Sequence, residues 1–255
     1  MILFDSHAHY EDERFDEDRD ELLSSLPSEG VKYIANVGCS VKGSRFAIEL
    51  ADKYEHVYAV IGVHPHEAEE LNDESLAEIE KMASHKKVVA IGEIGLDYHY
   101  DFAPRDVQRS AYRRQMELAR KLGLPVCIHD REAHAECVAM AKEFSDVPGV
   151  FHCYSGSLET AQELIKIGYM IGFTGVITFK NARKFEPIIA SLPMDRIMIE
   201  TDCPYLAPEP FRGKRNSSEY VYRVAEKIAD VKCISVEEAA MITTENAKRF
   251  YGIKD

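Results

Sequence analysis

Eight short runs of apolar and β-branched residues are the strongest constraint on what this chain can become. They fall at residues 2–5, 33–37, 57–63, 88–94, 125–129, 150–154, 169–173 and 197–200, with starts about 28 residues apart. That interval suits a strand, a helix and a return, a unit of roughly 30 residues. The runs are hydrophobic on both faces, as strands of a buried parallel sheet are. Helical punctuation falls between them. Pro104 and Gly123 bracket one helix, with Val107, Ala111, Leu118 and Leu122 on one face. Ser235 and Glu238 form a capping box ahead of another. Eight such units in 255 residues predict a (β/α)8 TIM barrel, an α/β fold that commonly fills about 250 residues. A doubly wound open sheet is the alternative, but no G-x-G-x-x-G or G-x-x-x-x-G-K-[ST] follows any run.

No linker, low-complexity segment or composition shift interrupts the pattern, so one domain over residues 1–255 is expected. The acidic stretch at 11–21 reads as a solvated loop entering a helix. No apolar run approaches the roughly 20 residues of a membrane span, and the opening residues lack the regions of a signal peptide. A cytoplasmic protein with no membrane partner is expected, and no obligate protein partner is evident. The six cysteines form no C-x-x-C pair and read as reduced, mostly buried thiols. The net charge of −13 disfavours non-specific coating of nucleic acid or anionic membrane. It leaves open a nuclease that meets phosphate through metal ions and a local basic loop.

Side chains able to hold a metal gather at the carboxyl ends of the runs. Asp5-Ser-His7-Ala-His9 follows the first, Gly62-Val-His64-Pro-His66 the third and Gly92-Glu93-Ile-Gly-Leu-Asp97-Tyr98 the fourth. Cys127-Ile-His129-Asp130, Phe151-His152-Cys-Tyr-Ser-Gly156 and Glu200-Thr-Asp202-Cys-Pro-Tyr205 close the fifth, sixth and eighth. In a barrel these ends share one rim, and that rim carries the active site. Strand side chains alternate, so His7 and His9 point one way, Asp5 shares their parity, and Glu200 shares that of Asp202. Asp5 and Glu200 either orient imidazoles or form an inward polar layer. His7, His9, Glu93, His129, His152 and Asp202 together make a coherent nitrogen-and-oxygen donor set.

These blocks, with Phe173-Thr-Gly-Val-Ile-Thr-Phe-Lys-Asn181 and Arg212-Gly-Lys-Arg-Asn216, occur in an order that resembles the TatD-family metal-dependent deoxyribonucleases of the amidohydrolase-like superfamily. The resemblance covers essentially the whole chain. It implies that His7 and His9 hold one metal and His129 and His152 a second. Glu93 would bridge them, and Asp202 would bind metal or the attacking water and accept its proton. Many related enzymes use a carboxylated lysine as the bridge, but no lysine lies between 88 and 98. Two divalent ions per chain are implied, Mg or Mn for activity, with Zn suited to the imidazoles. His64 matches a position that is not a ligand and is expected to contact phosphate or leaving group, or else to be a turn residue before Pro65. His66 and Asp97 are given no catalytic role.

The implied activity is 3′-5′ exonucleolytic hydrolysis of DNA with an exposed 3′ end, the polarity coming from the resemblance alone. The alternative keeps the metals and hydrolyses a small phosphoester, amide or lactone, and a third reading is a metal-loaded binding barrel. Arg215 and Asn216 in the basic loop after the eighth run, with Lys180 after the seventh, are expected to contact substrate phosphate. Tyr98, Tyr154 and Tyr205 either stack bases or pack. The basic helix at 105–121 reads as a solvated face.

Overall fold

The computed structural model describes residues 1–254. Eight strands pair in chain order, every pair parallel. They are β1 (Leu3–Ala8), β2 (Val31–Val37), β3 (Val57–Ile61), β4 (Val88–Asp97), β5 (Val126–Arg131), β6 (Gly149–Phe151), β7 (Met170–Phe173) and β8 (Ile197–Ile199). An isolated parallel bridge between Ala8 and Cys203 brings the β8 end back to β1, and Ser6 Oγ donates to the Ile199 carbonyl at 3.0 Å. The fold is the (β/α)8 barrel that the rhythm of the runs predicts. Helices α1 (Arg19–Ser25), α2 (Val41–Lys53), α3 (Asp73–Met82), α4 (Arg105–Leu122), α5 (His134–Glu143), α6 (Leu158–Lys166) and α7 (Phe185–Ser191) connect successive strands; α8 (Val221–Lys232) and α9 (Val236–Tyr251) follow β8. No helix among the described residues is long and apolar enough to cross a membrane.

The strands begin near the predicted runs but end differently. β1, β4 and β5 continue to Ala8, Asp97 and Arg131. Polar residues that look like the loop after a strand are therefore its last pleats, aimed at the barrel mouth. The acidic 11–21 stretch forms a short 3-10 turn (Glu13–Phe15) and the start of α1, anchored by the buried Phe15. Pro104 stands at the N-cap of α4, and Gly123, at φ 67°, ends it in the left-handed region that glycine enters without strain. Ser235 Oγ accepts from the Glu238 amide at 3.1 Å to start α9.

The core has two parts. Inside the ring, Phe4, Ala35, Val60, Ala90, Cys127, Val150, Met170 and Met198, one from each strand, meet Ala247 and Tyr251 of α9. Tyr251 donates its hydroxyl to the Ser6 carbonyl at 2.8 Å, so α9 supplies the barrel floor. A larger apolar layer lies between the strands and the helices. Each large aliphatic or aromatic side chain buried there stabilises the fold by about 1.5–3 kcal/mol. The cationic face of α4 is solvated and paired: Arg113 meets Glu143, Arg114 meets Asp73 and Arg120 meets Asp146. The six cysteines are free, and Cys233, at the C-cap of α8, is exposed rather than buried.

Candidate metal centre

The fold brings six side chains from five strand ends to one point at the mouth. His7 is on β1 and His9 just beyond it. Their Nε2 atoms lie 3.0 Å apart. His9 Nδ1 is 2.8 Å from the Val37 carbonyl, which can only accept, so the second proton site of this ring is committed and its Nε2 faces the cluster. Glu93 of β4 sits at the centre. Its Oε1 is 2.7 Å from His129 Nδ1 and 2.7 Å from His152 Nε2. Its Oε2 is 3.4 Å from His7 Nε2 and 3.6 Å from His9 Nε2. Asp202, after β8, places Oδ1 3.3 Å from His9 Nε2 and 3.8 Å from His7 Nε2.

The electrostatics ionise the two carboxylates. Against the effect of burial, acidic partners raise His9, His129 and His152 towards the protonated form, so a bound cation would take the place of protons there. Burial pushes the Glu93 carboxyl up, but the imidazoles of His152, His64 and His129 outweigh it and hold Glu93 well below the carboxylate range. Asp202 is likewise lowered: burial opposes ionisation, and the His9 hydrogen bond with the charges of His152 and His9 prevails. Burial lowers His7, and it lowers His64 to about 4, leaving that ring neutral at pH 7. Two ring nitrogens facing each other at 3.0 Å need a proton or a shared cation between them, and imidazole-to-metal distances of about 2.0–2.1 Å fit that gap. His7, His9 and Asp202 form one set of donor atoms within 4.8 Å of one another; His7, Glu93 and His152 form a second. The residues present fit a divalent-metal site.

Outer contacts fix the rings. Asp97 Oδ2 lies 3.1 Å from His129 Nε2 and 2.9 Å from His66 Nε2, clamping the ring that reaches Glu93. Two glutamines on the buried face of α4 hold the backbones involved. Gln108 Oε1 accepts from the Asp97 amide at 2.9 Å, and Gln115 Oε1 accepts from the Val63 amide at 2.8 Å. Sequence reasoning names Asp97 without a catalytic role and misses both glutamines, although two glutamines on an otherwise apolar helix face are a legible signal. Glu11 and Cys39, also passed over, flank His9: Glu11 Oε1 at 3.3 Å and Cys39 Sγ at 3.6 Å from Nδ1.

Some expectations are redirected. Asp5 does not orient an imidazole. It accepts from Thr201 Oγ1, from Ser218 Oγ and from the Thr201 amide, tying β1 to the segment after β8. The β1–β2 pairing shifts register between Asp5 and Ala8, and that irregularity breaks the parity linking Asp5 to His7. Glu200 Oε1 lies 3.5 Å from His152 Nδ1, which has no hydrogen bond, and accepts from the Cys153 amide at 2.6 Å. His64 faces the cluster, with Nε2 3.5 Å from Glu93 Oε1. Tyr154 is buried with its hydroxyl on the Ser157 carbonyl, and Tyr98 lies outside the cavity lining, so neither presents an open ring to the cavity. Tyr205 remains exposed at the cavity edge.

Arg215 and Asn216 are not brought to the cluster. Arg215 makes a paired contact to Asp18 at 2.7 and 2.5 Å, and its charge is spent there. Asn216 is buried and donates from Nδ2 to the carbonyls of Thr201 (2.8 Å) and Tyr205 (2.6 Å). It thus braces the turn holding Asp202, whose φ of 57° is costly for a non-glycine residue. Lys180 is exposed and outside the cavity lining. Asn216→Ala should therefore act as a structural lesion, destabilising the fold by about 2–3 kcal/mol in urea denaturation through two unpaired carbonyls. Full stability with a raised KM would instead restore Asn216 as a substrate contact.

The cluster opens into a cavity of about 760 Å³ lined also by His66, Tyr100, Arg131, Thr174 and Tyr205. The family model "TatD related DNase" matches residues 4–252. A Bacillus subtilis protein described as an uncharacterized metal-dependent hydrolase, YabD, is 45% identical over 99% of this chain and 100% of its own length. A Cronobacter sakazakii protein described as the 3′-5′ ssDNA/RNA exonuclease TatD is 34% identical over 98% of this chain and 97% of its own. The crystal structure of YJJV, a TatD homologue from Escherichia coli K12, superposes with a TM-score of 0.92 at 30% identity, covering 99% of this chain and 98% of that one.

Proposed function

The chain belongs to the TatD-related DNase family, and from that premise we propose that it is a divalent-metal-dependent nuclease that shortens DNA from an exposed 3′ end. The observation that carries the proposal is the convergence of four imidazoles on two ionised carboxylates at the floor of an open cavity. The 3′-5′ direction is supported by relatives described as 3′-5′ exonucleases.

In this reading His7 and His9 would hold one ion and His129 and His152 a second, with Glu93 and Asp202 as the carboxylate donors. Mg or Mn would support turnover, while the imidazoles also suit Zn. Divalent ions held there would supply Lewis acidity, neutralising a phosphodiester and making water a stronger acid. The rest is done by the chain. Asp202, ionised and at the cavity edge, accepts the proton of the attacking water at Oδ1 or Oδ2. His64 Nδ1 accepts the His66 amide at 3.1 Å, so the neutral ring carries its proton on Nε2 and points an N–H donor at the cluster, placed for a phosphate oxygen. Asp97 keeps His129 in register with Glu93. Arg131 supplies a cation on the cavity wall. Lys180 adds long-range attraction for phosphate and is not needed as a contact.

The test is a 5′-labelled single-stranded DNA oligonucleotide incubated with metal-stripped protein, with and without Mg or Mn, and with EDTA. The expected result is a metal-dependent ladder shortening from the 3′ end. An intact oligonucleotide from fully metal-loaded protein that turns over a small phosphoester, amide or lactone would replace the nuclease with a small-substrate hydrolase.

A further inference from the structure

The loop after β4 carries two of the most exposed large apolar side chains, Phe102 at 67% and Tyr100 at 49%. They are not scattered. Their rings stack with centroids 5.2 Å apart and planes 17° from parallel. Arg131 lies over the Tyr100 ring at 4.7 Å, so Arg131, Tyr100 and Phe102 form a column of planar groups. His66 sets its ring edge against both, at 5.4 Å from Tyr100 and 4.9 Å from Phe102. Through Asp97 the same His66 is tied to His129, so the column is anchored to the proposed metal centre. Tyr100 and Arg131 line the cavity.

A second pair stands at the far side. Tyr205, 47% exposed and also lining the cavity, has the Arg14 guanidinium 4.1 Å over its ring. Its hydroxyl donates to Asp12 Oδ2 at 3.1 Å, and its ring stands edge-on to His9 with centroids 6.3 Å apart. β4 and β8 are four strands apart in a ring of eight, so the two aromatic–arginine pairs face each other across the mouth. Arg14 is held by Asp12 in a two-point contact at 2.8 Å, as Arg215 is by Asp18, so Arg131 is the cation this rim offers a phosphate.

An aromatic face with a cation beside it is the device that holds single-stranded nucleic acid, since every base has a π face and every link a phosphate. A base inside a duplex has both faces covered by its neighbours. We propose that the Tyr100–Phe102 column is a stacking subsite for an unpaired nucleobase at the rim of the cavity, the base lying on the open face of Phe102, with Tyr205 serving a base on the opposite side. This inference rests on the nuclease reading and adds to it where the bases, rather than the phosphates, are held.

The experiment compares kcat/KM on a single-stranded oligonucleotide with that on an abasic oligonucleotide of the same length, which keeps the phosphates and lacks the faces. Each protein supplies its own ratio, so any loss common to both substrates cancels. The unmodified protein should prefer the base-bearing strand by about tenfold or more, chiefly in KM. In Tyr100→Ala/Phe102→Ala the ratio should fall towards one, while Phe102→Trp should keep it. Both side chains are solvent-exposed, so their truncation leaves the core intact. Equal rates on the two strands, or a double variant that keeps the preference, would overturn the subsite alone. Hydrolysis of bis(p-nitrophenyl) phosphate with neither strand cut would overturn the nuclease reading and the subsite with it.

Discussion

Glu93→Gln is expected to lower hydrolysis by about 10³-fold, the upper end of what one electrostatic contact supplies. The reason is its position. One carboxylate reaches His129 and His152 at 2.7 Å through Oε1, and His7 and His9 at 3.4 and 3.6 Å through Oε2. The amide is nearly isosteric, so packing in the barrel mouth is preserved and only charge and acceptor capacity change. An amide nitrogen turned towards the imidazoles would donate to their lone pairs, occupying the nitrogens a cation needs, and the neutral amide has no charge to attract that cation. Metal per chain, measured by mass spectrometry after gel filtration, should fall together with the rate. A variant that keeps its metal and loses less than about tenfold in rate, within the effect of an outer contact, would remove Glu93 from the centre of the mechanism.

Gly95→Ala is expected to cost about 4 kcal/mol of stability, summed from a strained backbone and an overpacked contact. Gly95 adopts φ 141°, a conformation side chains rarely take, and a Cβ there would lie 2.0 Å from the His129 carbonyl oxygen of the neighbouring strand. No flexible side chain can yield at that point, because the obstacle is the β5 backbone paired with Gly95 itself. For a chain of this size the loss corresponds to a melting temperature lower by roughly 10 °C. Any relief must push β5 away, carrying His129 from its 2.7 Å contact with Glu93, so the surviving folded fraction should also be impaired. A thermal melt with metal-free protein decides the matter, and an unchanged transition would mean that β4 and β5 can separate there without penalty.

The barrel was legible because two-sided apolar runs at a steady interval leave few other folds. The six clustered side chains were legible because they stand where those runs end. What stayed hidden has specific causes. The ends of β1, β4 and β5 were read short because their last residues are polar, and in a barrel mouth a polar residue can still be a strand residue. Asp5 was placed on the wrong face because alternation assumes an unbroken register, and β1 shifts against β2 between Asp5 and Ala8. Arg215 looked like a free cation because its partner, Asp18, lies 197 residues away in the chain. Phe102 and Tyr100 sit in a short loop rich in aromatic residues, but which of its rings stack on one another depends on the path of the loop, which composition does not give.

The floor of the barrel sets a schedule for making the protein. Tyr251 meets Ser6 across 245 residues, and until it arrives the base of β1 has no cover. A ribosome adds about 5–20 residues per second, so β1 waits roughly 10–50 s in an unfinished ring. During that time the growing sheet presents two unpaired edges, each a template for pairing with another nascent chain. Asp202 reaches the backbone of His7 through its amide only late in synthesis. The contacts that seal β1 thus come from Asp202 and Tyr251, and the open edges of the sheet persist until both segments have been made.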